Sequence, residues 1–440
     1  MTNENALGRR PFLASALSGT AALALGPAAS MLAQPGADRR FLSLYFNGGW
    51  DVLLAMDARD PSGTYSDELN LGTELLPTQY QTPINVNVGG REVLWGASMR
   101  ELVRHADVLT LFRGVNMNTV AHPTGRAYVN TFLPPAGVVA RGDSLGTRMA
   151  TARRADDLIM PNVSIGVPTF NASFGPEFSG IRTGRSTEVR DLLRPLGNEL
   201  PADVLALLQQ AQDEGGSCVS ARYQQGPPAD ELAVSRARVR ELMERGLDSR
   251  FDFAQETGVA ARYGISNPNN AFDPAVIAAT VYQLIATDLS RSVTAQLQRS
   301  LDTHNSNWAA TQPQLQEAGF NALAVLLDDL RMDDPNLDRT TVAVYSEFAR
   351  TPRINGTNGR DHWFASSILV FGGNLRRGVF GATVPETLGL QATNLETGLP
   401  DPGGEVILPE TVGATLAAAA GLDPSPFRVP PLTAWIAGGA

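Results

Sequence analysis

The chain has 440 residues, 43% of them hydrophobic and 18% charged, long enough for one large α/β domain with insertions or for two domains. Its net charge of −10 argues against nucleic acid as a partner, because phosphate binding calls for a basic stripe. Every cationic residue is arginine, so there is no P-loop lysine, no Schiff-base lysine and no lysine general base.

The first residues read as an export signal. Gly8-Arg9-Arg10-Pro11-Phe12-Leu13 matches the twin-arginine pattern. An apolar, small-residue stretch follows from Phe12 to Leu25, and Ala28-Ala29-Ser30-Met31-Leu32-Ala33 offers cleavage sites. That stretch is shorter than the ~20 residues needed to cross a bilayer. The expectation is a signal peptide over residues 1–35 and passage through the twin-arginine translocase. The mature chain is then periplasmic or secreted and not an integral membrane protein.

From residue 36 onward the elements follow one another as strand and helix. Phe41 to Phe46 is a continuous apolar run ending at Asn47-Gly48-Gly49, and reads as a strand buried on both faces. Ser98 to His105 has a helical period, and Val108 to Phe112 is a second buried strand ending at Arg113-Gly114. Residues from about 187 to 262 are polar, mixed in charge and helical in period, and read as a helical insertion capping the sheet. Cys218 falls within it and, as the only cysteine, has no internal disulfide partner. Pro274 to Asp288 is helical, with Asp273 at the cap and Pro274 at the first helical position. Val293 to Leu297 is a weaker strand, Leu315 to Leu330 a helix, Thr341 to Tyr345 a third buried strand, and Ile368 to Phe371 another. The alternation predicts an α/β fold, a three-layer α/β/α sandwich with a mostly parallel sheet.

Open α/β sheets bind ligands beyond the carboxyl ends of their strands. The polar residues at those ends are Asp51 after the first strand, then Thr119, His122 and Thr124 after the second. Asp302 and His304 follow the weaker strand, and Glu347, Arg350, Asp361 and His362 follow the third. Three of the four histidines stand at these places. Extended backbone puts Asp302 and His304 on one side, whereas a helix would splay them by about 200°. Asp361 and His362 converge only in a loop, which Asn355 to Gly359 supplies. Imidazole with carboxylate suits zinc, manganese or iron better than calcium or magnesium. Plainer roles exist for each: Asp51 or Asp302 as a helix cap, Glu347 paired with Arg350 or Arg353.

Several segments together resemble the exported family known as domain of unknown function 1501. They are Gly48-Gly49-Trp50-Asp51, Asp302-Thr303-His304-Asn305, Ser346-Glu347-Phe348-Ala349-Arg350-Thr351-Pro352, Gly359-Arg360-Asp361-His362, Phe371-Gly372-Gly373-Asn374 and Pro409 to Leu416. That family resembles a branch of the alkaline phosphatase and sulfatase superfamily. The resemblance implies an alkaline-phosphatase-like fold and a two-metal hydrolase arrangement. Asp51 would then sit at the first metal position, Glu347 would replace an aspartate of the superfamily, and Asp302, His304 and His362 would bind the second ion. Thr119, near His122, would occupy the nucleophile region. Glu347-Phe348 stands where the superfamily usually has Asp-His, which removes one imidazole ligand.

Two functions follow as expectations. The first is a metal-dependent hydrolase of phosphate or sulfate esters, acting on a small-molecule or polymer substrate with one or two zinc or manganese ions. Its metal ligands are drawn from Asp51, Glu347, Asp302, His304, Asp361 and His362. Thr119, His122 and Arg350 are the catalytic candidates, Arg350 or Arg113 stabilising oxyanion charge. The second is a non-catalytic envelope protein of the same fold that binds a partner or surface glycan.

Overall fold

A computed structural model of the chain describes residues 39–152, 158–194 and 245–437, with scattered positions between 201 and 241. The expected signal peptide, Cys218 and much of the predicted helical insertion lie outside the described residues. In chain order the strands are β1 (Arg40–Phe46), β2 (Ile84–Val88), β3 (Arg91–Trp95), β4 (Leu109–Asn116), β5 (Asn162–Ile165), β6 (Ile181–Thr183), β7 (Ser292–Gln298), β8 (Thr340–Ser346), β9 (Ala349–Arg350), β10 (His362–Trp363), β11 (Ala365–Gly372) and β12 (Gly378–Phe380). The described α-helices are α1 (His122–Thr131), α2 (Leu145–Ala150), α3 (Thr187–Leu193), α4 (Thr257–Tyr263), α5 (Pro274–Ala286), α6 (Trp308–Arg331) and α7 (Pro409–Ala419).

The apolar runs become one eight-stranded sheet in the order β12-β4-β11-β8-β1-β7-β5-β6. All neighbours pair in parallel except β11, which runs against both β8 and β4. Side chains alternate across a strand, and β1 is apolar at nearly every position because both faces are covered. Leu42, Leu44 and Phe46 enter a core shared with α5 and α6. Phe41 and Tyr45 enter a second core on the other face, shared with α1, α2 and α7. Helices therefore flank the sheet on both sides.

Asp273 caps α5 as expected, accepting the Ala275 N–H at 2.9 Å. The segment expected as a helix from Ser98 to His105 winds as 3-10 turns over Ala97–Val108. The reversed direction of β11 has a consequence for function. Its beginning, not its end, lies at the rim where β1, β4, β7 and β8 finish. The β9–β10 hairpin just before it, with His362 opposite Arg350, is thereby carried to that rim.

Candidate metal centre

The loop after β1 is built on two glycines. Gly48 has φ +114° and Gly49 φ +81°, conformations that side-chain-bearing residues rarely adopt. A Cβ on Gly48 would come within 2.6 Å of the Asp302 nitrogen, so this turn lies directly on the segment after β7. The Gly48 N–H donates to Glu347 Oε1 at 2.9 Å, and Ser346 Oγ donates to Oε2 at 2.9 Å. Gln312 and Gln316, one turn apart on α6, hold the same loop: Gln312 donates to the Gly49 carbonyl, and Gln316 bonds both the N–H and the carbonyl of Asp51.

Three imidazoles converge at the rim, each fixed through Nδ1. His122 donates to Glu347 Oε1 at 2.7 Å, His304 to Asp361 Oδ1 at 2.7 Å, and His362 to the Val120 carbonyl at 2.6 Å. With Nδ1 donating, each neutral ring turns an Nε2 lone pair inward. Asp302 meets all three: Oδ1 lies 2.9 Å from His304 Nε2 and 3.1 Å from His362 Nε2, and Oδ2 lies 3.3 Å from His122 Nε2. His122, Asp302 and His362 each offer a ligand atom, and all three lie within 4.8 Å of one another. The Phe348 ring packs beside His122 and His362, with centroids 4.8 and 4.4 Å away.

Two features of this cluster fit a cation. His122 Nε2 is buried, and its 3.3 Å contact with Asp302 Oδ2 falls short of a well-formed hydrogen bond, an expensive state for a polar atom. The Nε2 atoms of His304 and His362 stand 2.9 Å apart, although the proton of each ring is already engaged at Nδ1. Lone pairs facing each other at that distance need a positive charge against them; Arg350 Nη1, 3.4 Å from His304 Nε2, supplies part of it, and a cation among the imidazoles would supply the rest. Imidazole ligands backed by a carboxylate or carbonyl on the other nitrogen are the usual outer support of a metal site.

Not every residue expected there is in place as a ligand. Glu347 and Asp361 stand behind the imidazoles and orient them. Arg350 is fully buried, with Nε on the Gly49 carbonyl, Nη1 on the Arg360 carbonyl and 3.4 Å from His304 Nε2, and Nη2 on the carbonyls of Leu301 and Gly48 and on Asp302 Oδ1 at 2.7 Å. It positions Asp302 and has no donor left for a substrate oxyanion. Asp51 is separate from the cluster. It caps the following turn through the Leu53 N–H and accepts Trp308 Nε1 at 2.9 Å. Arg360 Nε lies 3.2 Å from its Oδ2. Thr119 Oγ1 accepts the Ala121 N–H at 3.1 Å within its own turn. Sequence reading missed Gln312 and Gln316, whose only signal is a pair of amides at i and i+4 on the buried face of α6.

The charges reinforce this arrangement. The Glu347 hydrogen bond raises the His122 pKa against the opposing effect of burial. Burial pushes the Asp302 carboxyl up, but the hydrogen bond and charge of Arg350 outweigh it and hold it well below the usual carboxylate range. Burial lowers His362, against the pull of Asp302. The His304 hydrogen bond lowers Asp361. An ionised Asp302 facing a neutral His362 is the protonation pattern that metal ligation requires.

Fold and site define an α/β protein with a histidine–carboxylate centre at the carboxyl rim of a mostly parallel sheet. The chain belongs to the family "Protein of unknown function (DUF1501)", whose model matches residues 38–401 and so spans every residue of the cluster. No curated protein matches it. The chain is similar to the solved structure "Crystal structure of Ps i-CgsB in complex with k-i-k-neocarrahexaose", at 8% identity and a TM-score of 0.40 over 90% of this chain and 75% of that one. A likeness of that size carries no argument. Among the described residues no helix is long and apolar enough to cross a membrane.

Proposed function

We propose that the chain is an exported, metal-dependent hydrolase of phosphate or sulfate esters on an alkaline-phosphatase-like three-layer fold. The observation that supports it is the convergence of Asp302 with the Nε2 atoms of His122, His304 and His362, each imidazole fixed from behind. A zinc or manganese ion held there would polarise an ester oxygen and acidify water. Glu347, Asp361 and the Val120 carbonyl hold the imidazoles in the tautomer that ligation needs. Arg350 fixes Asp302. The Asp302 side chain is 46% exposed, which leaves the cluster open to a ligand on one side. Thr119 keeps its own hydroxyl proton free and adjoins Val120, so it and water are the two nucleophiles to be told apart.

Metal analysis of protein purified from its exported form tests the first half of this reading. The expected result is at least one transition-metal ion per chain, lost in His304→Ala and His362→Ala. Turnover of aryl phosphate and aryl sulfate esters tests the second, with Thr119→Ala separating hydroxyl from water attack. Sub-stoichiometric metal that is unchanged in both histidine variants would remove the basis of the proposal.

The full use of Arg350's donors favours a second reading, a non-catalytic envelope protein whose metal is structural. Chelation would then lower the melting temperature, while no ester would turn over in the metal-replete protein.

A further inference from the structure

Beside the metal centre the same rim of the sheet carries three exposed arginines, Arg126, Arg185 and Arg299. The chain is acidic, and many of its other arginines are tied to carboxylates, as Arg40 is to Asp333 and Arg331 to Asp107. Among the described residues none of these three has a carboxylate partner. Arg299 and Arg185 instead lie over the Phe272 ring, at 4.3 and 5.9 Å from its centroid, and Phe272 is itself 41% exposed. A guanidinium resting on an aromatic face keeps the N–H groups of its edge free, and that fork matches a tetrahedral oxyanion.

These arginines line a groove made of two adjacent cavities that share Gly166 and Gln296. A cavity of about 240 Å³ is lined by Arg185, Phe272, Arg299 and Gln296. A smaller one of about 50 Å³ is lined by Arg126, Asn47 and again Gln296. Asn47 donates to Gln296 at 3.0 Å on the shared wall. Both ends of the groove touch the cluster's own supports. Arg126 Nε donates to the His122 carbonyl at 3.3 Å, Asn47 precedes Gly48, and Arg299 opens the segment that reaches Asp302.

We infer that this groove is a binding site for a ligand carrying several tetrahedral oxyanions, one placed at the metal centre and the others along Arg126, Arg299 and Arg185. The inference rests on the hydrolase reading and names its substrate class: an oligoanionic ester, phosphorylated or sulfated, rather than a single isolated group. Attraction along the groove weakens as salt screens it.

The test is titration calorimetry of the full exported chain in low salt with inositol hexakisphosphate, sucrose octasulfate and uncharged sucrose. At least one polyanion is expected to bind and sucrose is not; the tighter of the two identifies phosphate or sulfate as the natural group. The double variant Arg185→Ser with Arg299→Ser is expected to bind at least about tenfold more weakly, as loss of charge-assisted hydrogen bonds implies. Its metal content and melting temperature should match the parent, because both side chains are exposed. The same pair placed on a His304→Ala background should show the same fold-loss, so the groove is read apart from the metal. Binding of neither polyanion, equal binding of sucrose, or equal affinity in the double variant overturns the inference. An arginine-dependent affinity in a chain that holds no metal would support the groove and remove the hydrolase reading alone.

Discussion

His122 Nδ1 lies 2.7 Å from Glu347 Oε1, and the carboxylate that receives it is fully buried and also held by the Gly48 N–H and Ser346 Oγ. That contact fixes the ring angle and the tautomer of a residue whose Nε2 points at Asp302. Glu347→Gln keeps the volume and one acceptor but removes the charge. Metal affinity should fall about 10- to 100-fold, the usual loss when the outer partner of a ligating imidazole is removed. Competition with a chromogenic chelator reads this directly, and an unchanged dissociation constant would place Glu347 outside the site's electrostatics.

Chelation should destabilise the parent protein and spare a variant that cannot bind the ion. A ligand present at 100 times its dissociation constant stabilises the folded state by about 2.7 kcal/mol. The metal-loaded parent should therefore melt above its chelated form, while His362→Ala melts at one temperature under both conditions. Calorimetric scans with and without chelator check it; an equal chelator shift in parent and variant would mean the ion binds elsewhere.

Asp51 separates stability from metal binding. Its carboxylate and Arg360 are both fully buried, with Arg360 also over the Trp308 ring at 4.7 Å. Burial lowers the Arg360 pKa and Asp51 opposes it. Asp51→Ala leaves that guanidinium without its counter-charge, a loss of about 3–5 kcal/mol for a buried pair. Urea unfolding should register most of it, with metal content per folded molecule unchanged. Lost metal with intact stability would return Asp51 to the ligand set.

How far the amino-acid pattern reaches is visible in these same residues. Continuous apolar runs marked the central strands because a sheet covered on both faces leaves no polar period to hide them. The carboxyl-end rule then pointed to Asp302, His304, Glu347 and the stretch around His362. It could not separate a carboxylate facing an ion from one behind an imidazole, since Asp302, Asp361 and Glu347 differ only in what the folded chain places against them. Arg350 is the plainest case: four of its acceptors are backbone carbonyls, which no side-chain pattern encodes. The helix that begins at His122 was missed for a local reason. Its Gly125 weakens helical propensity, yet a Cβ there would meet the Glu347 carbonyl oxygen at 2.8 Å, so the glycine is what lets the helix approach.

The fourth histidine supplies a pH test independent of the metal centre. His105 is buried against α6, with Nε2 donating to the Ala324 carbonyl at 3.0 Å and Nδ1 accepting from Arg331 at 3.2 Å. A proton on Nδ1 would set donor against donor. Burial lowers the His105 pKa from its ordinary 6.5, the Asp328 carboxylate opposing only in part. Above about pH 6.5 neither the folded nor the unfolded chain protonates it, and it contributes nothing to the pH slope. Below that value the unfolded chain takes up a proton that the folded chain resists, so stability declines until the lower folded pKa is reached. His105→Gln removes this term. Below pH 6.5 its unfolding free energy, measured by urea titration with chelator in both samples, should fall less steeply than the parent's. Parallel slopes would show that His105 charges as readily inside the fold as outside it.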